Sequence, residues 1–135
     1  MNLCNTQFDN QFNLIDSLCW KPWVGINYNL TTTTKLLIIG ESHYCWSDNK
    51  SELKEIIEKI TNRGFTRSII HQFGVCAKNN STQPLFRNLE KTIFNSEKIA
   101  SPKQKRFWHS VSFYNFIQRP LISRAKEHRP NKQDW

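Results

Sequence analysis

The stretch Lys35-LLIIGESHYC-Trp46 decides how this chain is read. A continuous apolar run ends on Gly40 and is followed directly by Glu41, Ser42, His43 and Tyr44. An uninterrupted run of Leu and Ile bounded by glycine predicts a parallel-type strand covered on both faces. Ligands of open parallel sheets gather outside the carboxyl ends of the strands, which is where these polar residues fall. Gly40 lets the backbone turn sharply and approach a ligand. Glu41 suits orienting or deprotonating a water, His43 suits stabilising charge or shuttling a proton, and Tyr44 suits walling off a flat substrate. Ser42 adds a weaker hydrogen-bonding group. The same residues equally suit plain structural roles: a surface carboxylate or helix cap, and a histidine packed beside aromatics.

Working outward, the clearest helix follows the loop. In residues 48–64, Leu53, Ile56, Ile57 and Ile60 form one helical stripe. Asn49 and Glu52 have capping-box spacing, Lys59 and Arg63 sit in the last turn, and Gly64 is placed to close it. A second helix is predicted over residues 83–96, and a helical entry over 101–108 leads into a strand, SVSFYNF (110–116). Asn115 closes that strand; its amide suits either the edge of a nucleobase or the tying down of a neighbouring loop. Upstream, residues 8–18 are loosely helical, and CWKPWVGINYN (19–29) carries two tryptophans that call for burial. Strand, helix, helix, strand predicts an α/β fold with a parallel sheet, to which the region 24–34 or the N-terminal segment would add strands.

Composition narrows the class. The 135 residues fit one domain, and 38% hydrophobic with 13% aromatic content excludes a disordered chain. No apolar run reaches the ~20 residues that span a bilayer, and the N-terminus lacks a secretory pattern, so a cytoplasmic protein with no membrane partner is expected. Cys4, Cys19, Cys45 and Cys76 lie far apart without a CxxC pair, which predicts free thiols, no metal and no cofactor. The net charge of +8 is lopsided: residues 98–135 carry 9 Lys/Arg against 2 Asp/Glu. That excess suits a phosphate-rich partner, most simply DNA, or else a solvated basic tail.

Taken together, GESHY after its strand, SVSFYNF ending near Asn115 and the WKPWVG segment resemble the uracil-DNA glycosylase-like superfamily over residues 20–135. Its first motif is a strand, a glycine and a polar pair, as in G-Q-D-P-Y-H or G-E-x-P-G. The resemblance implies a three-layer α/β/α sandwich around a four-stranded parallel sheet, a single domain, and hydrolysis of the glycosidic bond of a flipped uracil-like base. It implies water-handling roles for Glu41 or Ser42, a pocket wall from Gly40 and Tyr44, and base reading by Asn115. Arg119, Arg124, Lys126 and Arg129 would contact phosphates. The chain departs from the pattern in three respects. Ser42 stands where one branch has Asp, His43 replaces the loop proline, and no H-P-S-like third motif follows. The chain is therefore expected to lack the C-terminal part of such a domain, with NKQDW (131–135) reading as the start of a helix capped by Asn131. Two other readings stay open: a nucleic-acid-binding module without catalysis, and a hydrolase of another class using Glu41 and His43.

Overall fold

The structure is a computed structural model that describes residues 4–30, 34–45, 47–77, 83–122 and 129–134. The order of elements is α1 (Asp9–Asn13), β1 (Trp23–Val24), β2 (Leu37–Gly40), α2 (Lys50–Ile60) and α3 (Phe65–Ile70). A π-helical turn over His71–Val75 continues α3. Then come α4 (Pro84–Phe94), α5 (Ser101–Ser110), β3 (Ser112–Asn115) and a 3₁₀ turn over Lys132–Asp134.

The sheet has the order β1-β3-β2. β2 runs parallel to β3, as expected, and the register sets Gly40 opposite Asn115. β1 runs antiparallel to β3, with Trp23 opposite Phe113. The architecture is therefore mixed α/β with a small mixed sheet among the described residues. The expected all-parallel sheet is corrected by β1, whose two residues lie between Pro22 and Gly25. Gly25 is needed there, because a Cβ would stand 2.2 Å from the His109 carbonyl oxygen.

The sheet's two faces differ in cover. Strand alternation puts Trp23, Ile38, Phe113 and Asn115 on one face. There α3, the π turn, α4 and α5 supply Ile70, Val75, Phe86 and Trp108 to the main core. On the other face Leu37 and Ile39 remain 52% and 61% exposed. Among the described residues the apolar run is thus not covered on both faces, and β2 is an edge strand with one open side. An uninterrupted apolar run looks the same whether its second face meets a helix or solvent.

Helix α2 follows its sequence closely. Asn49 caps it by accepting from the Ser51 backbone N–H at 3.0 Å. Ile60 is buried with Trp20 and Cys45, and Leu53, Ile56 and Ile57 pack around them. The expected capping box is replaced, because Glu52 accepts from the Ser47 hydroxyl at 2.7 Å. Gly64 opens α3 instead of closing α2, which stops at Ile60. Helix α4 begins with Pro84 in its first turn and ends at Asn95 in the left-handed conformation, φ 47°. The two tryptophans that called for burial are buried, Trp20 at 1% and Trp23 at 0% exposure. No helix among the described residues is long and apolar enough to cross a membrane.

Candidate functional site

Past Gly40 and Asn115 the two strands stay joined as their loops unroll. The Phe116 N–H donates to the Gly40 carbonyl at 2.9 Å, and Ile117 N–H to the Glu41 carbonyl at 2.8 Å. Leu121 N–H then donates to the His43 carbonyl and Cys45 N–H to the Leu121 carbonyl, at 2.9 and 2.8 Å. The loop 41–45 and the loop 116–121 therefore form one unit at the carboxyl ends of adjacent parallel strands.

Gly40 and Asn115 meet directly. A Cβ on Gly40 would lie 2.4 Å from Asn115 Oδ1 and 2.6 Å from Phe113 Cζ, so the bare glycine backbone makes the space that the amide occupies. Asn115 is 3% exposed, and its Nδ2 has no hydrogen-bond partner among the described residues. A buried donor left unmet costs about 1–3 kcal/mol, so few are retained in folded chains.

Glu41, Tyr44 and Arg129 form a second group at the surface. The Tyr44 hydroxyl donates to Glu41 Oε2. Arg129 Nη1 donates to the Tyr44 oxygen at 3.1 Å and lies 3.5 Å from Glu41 Oε2. The Arg129 guanidinium also sits over the Tyr44 ring, 5.9 Å from its centre. Burial and then the Glu41 hydrogen bond push the Tyr44 phenol upward, so it stays protonated and serves as a donor. The arrangement fixes the Glu41 carboxylate while leaving its side chain 44% exposed to incoming water or substrate.

Ser42 and His43 are committed elsewhere. The Ser42 hydroxyl donates to the Arg119 carbonyl at 2.6 Å. His43 stands edge-on between Trp20 and Phe65, with ring centres at 4.7 and 4.8 Å, and its Nε2 meets the Thr66 hydroxyl at 2.7 Å. Burial lowers its pKa from 6.5 to about 4, so the ring is neutral near pH 7. The expected polar cluster thus divides: Glu41 and Tyr44 turn to solvent with Arg129, while His43 joins the packing around α2 and α3.

Of the expected phosphate contacts, Arg119 makes a two-pronged pair with Asp134, both bonds at 2.6 Å. Asp134 belongs to a capped turn, as the sequence indicated, with Asn131 Oδ1 accepting from Gln133 N–H at 2.9 Å. Arg124 and Lys126 lie outside the described residues.

A cleft of about 580 Å³ opens beside this region. Phe12, Leu18, Tyr114, Ile117 and Arg119 contribute to its walls, whereas Gly40 and Asn115 do not. Tyr114 faces away from Asn115 by strand alternation, so cleft and amide address opposite sides of β3. Sequence reading passed over two polar groups elsewhere in the fold. Asp9 receives Arg67 through both oxygens, at 2.7 and 3.0 Å, and Lys21 at 3.1 Å. Glu90, fully buried, accepts from Gln104 at 2.8 Å and Trp108 at 2.7 Å. Glu90, Gln104 and Trp108 gave no motif; their 14- and 18-residue separations become contacts only through helix packing. No cluster of three or more metal-binding side chains occurs among the described residues. No protein-family model, curated protein or solved structure matches this chain.

Proposed function

We propose that the chain is a DNA-binding α/β protein of the uracil-DNA glycosylase-like kind, which receives a flipped base against Asn115. One observation carries the reading: a buried carboxamide at the end of β3 has an N–H donor unmet among the described residues, pressed against a glycine that ends the neighbouring parallel strand. A pyrimidine carbonyl is an acceptor of the type that donor lacks, and pairing would remove its desolvation cost. Extrusion of the base is required because the glycosidic bond is out of reach inside the stack.

Glu41 is the water-handling group in this reading. Held by Tyr44 and Arg129 and open to solvent, it accepts a proton as water attacks the anomeric carbon. The bond from that carbon to the base nitrogen breaks, and the base leaves as an anion that the Asn115 N–H stabilises. Ser42 and His43 have structural roles here, because the Ser42 hydroxyl bonds the Arg119 carbonyl and His43, held edge-on between Trp20 and Phe65, has its Nε2 on the Thr66 hydroxyl. Arg129, with Arg119 when released from Asp134, supplies phosphate contacts, together with Arg124 and Lys126.

A second reading, binding without hydrolysis, is favoured by the sequestration of His43, which leaves Glu41 as the one side chain of the GESHY loop placed to act on water. The experiment is abasic-site formation on single- and double-stranded uracil-containing oligonucleotides, beside a salt titration of binding. Cleavage that is lost in Asn115→Ala and Glu41→Gln supports the glycosylase. Salt-sensitive binding without cleavage, indifferent to both substitutions, supports the binding module. Absence of both binding and cleavage refutes the two readings together.

A further inference from the structure

Among the described residues β2 pairs with β3 alone, and its outer side meets no strand. The Ser112 N–H donates to the Leu36 carbonyl at 3.0 Å and the Phe116 N–H to the Gly40 carbonyl at 2.9 Å. Even-numbered residues therefore turn their backbone groups to β3, and strand alternation turns those of Leu37 and Ile39 to the outer edge. The side chains of the same two residues stand on the open face, 52% and 61% exposed. Folded proteins commonly guard such an edge with a charge or a proline inside the strand. Leu37–Gly40 carries neither. Charges stand just outside it instead: Lys35, exposed, before the strand and Glu41, with its side chain 44% exposed, after it.

That order of residues is complementary to itself. About a twofold axis through Ile38, an antiparallel second copy sets Leu37 against the partner's Ile39, and Ile39 against the partner's Leu37. The same rotation sets Lys35 against the partner's Glu41 at both ends. Each Leu37–Ile39 pair exchanges two N–H···O bonds through the backbone groups that face outward. The ladder stops there, because the Glu41 carbonyl already accepts from the Ile117 N–H at 2.8 Å. Lys35 and Glu41 meet through their side chains alone. Lys35 Nζ sits over the Tyr28 ring at 5.4 Å, an exposed contact too weak to hold the ammonium in place. Sliding the copy by two residues sets a charge against Leu37 or Ile39, and sliding it by one sets outward backbone groups against residues that serve β3.

We propose that β2 pairs with β2 of a second copy of this chain in that register, giving a twofold dimer whose two sheets become one. The interface is isologous, as closed dimers require. So short a ladder buries less than the ~1,200 Å² of a stable interface, so the dimer forms only at high concentration. The proposal does not depend on the function of Asn115 or Glu41.

Sedimentation equilibrium of the 135-residue chain tests it. Between about 1 μM and 1 mM the mass is expected to rise from one copy toward two, as a small interface allows. Leu37→Lys with Ile39→Lys is expected to hold it at one copy throughout, with circular dichroism and urea midpoint unchanged. Lys35→Glu, which sets like charges together at both ends, is expected to weaken dimerisation about tenfold. Register is read by mixing a Leu37→Cys protein with an Ile39→Cys protein under mild oxidation. A disulfide from position 37 to position 39, found by peptide mass mapping, is necessarily intermolecular and is expected to exceed the 37–37 and 39–39 links. A mass of one copy at every concentration overturns the proposal and leaves the edge to another occupant. A dimer unchanged in the double variant or in Lys35→Glu also overturns it, as do 37–37 or 39–39 links in excess. If the double variant does not fold, the cross-links decide.

Discussion

Acid should destabilise this protein well before its carboxylates titrate, and His43 is the reason. Its pKa falls from 6.5 to about 4 on folding because burial disfavours the charged ring. Above pH 6.5 the ring is neutral in both states and contributes no pH dependence. As pH drops through 6.5, the unfolded chain binds a proton that the folded chain refuses, so stability declines. By pH 5 the loss from this group amounts to about 2 kcal/mol, and below pH 4 it levels off at about 3 kcal/mol. Urea unfolding followed by tryptophan fluorescence at pH 7.5, 6.5, 5.5 and 5.0 measures the effect. His109, also lowered by burial, adds a loss of the same sign, so the informative quantity is the difference between wild type and His43→Gln. The variant is expected to be less stable at pH 7.5 for lack of ring packing, but to lose about 2 kcal/mol less by pH 5. Parallel pH profiles for the two proteins would refute the claim that His43 is buried as a neutral ring. They would also return it to the candidate proton carriers of the GESHY loop.

Two further outcomes concern the framework of the site. Gly40→Ala forces a Cβ into Asn115 Oδ1 and Phe113, and overpacking of this kind costs about 1–3 kcal/mol; an unchanged urea midpoint would show that the amide does not rest on the glycine. Asp9→Ala strands the buried Arg67 guanidinium and should cost about 1.5–3 kcal/mol at pH 7. The Arg67 hydrogen bond, then Lys21, holds the Asp9 carboxyl below its ordinary range. Its stabilisation is therefore lost only as pH falls through that lowered value, later than the His43 effect. Loss of the Asp9→Ala difference already at pH 5.5 would contradict that order.

How far the site was legible follows from which of its parts are local. Asn49 and Asn131 were readable as helix starts because a cap is decided within four residues. The strand before Gly40 and the strand ending near Asn115 were readable from their apolar content, and their pairing followed from the parallel crossover rule. The division of the GESHY loop was not readable. Glu41 and His43 are two residues apart, yet Trp20 and Phe65 enclose the histidine while Tyr44 and Arg129 hold the carboxylate at the surface. The histidine's partners lie 22 or more residues away in sequence and Arg129 lies 88 from Glu41, although Tyr44 is only three residues on. No local pattern records the distant ones. The π turn was likewise hidden, since HQFGVC has no signature and the close approach of Trp108 to Gly74 joins residues 34 apart.

By itself, then, the sequence determined what short-range forces determine: where α2 begins, that Gly40 and Asn115 end strands, and that basic charge gathers after residue 97. Tertiary structure decided what depends on desolvation and on contacts across the fold. Among the described residues it left β2 at an edge with Leu37 and Ile39 exposed, withdrew His43 into an aromatic slot, and buried the Asn115 amide with a donor unmet. The physical reason is common to all three. Propensity and capping are properties of neighbouring residues, whereas the protonation, exposure and pairing of a side chain depend on which distant atoms exclude water from it.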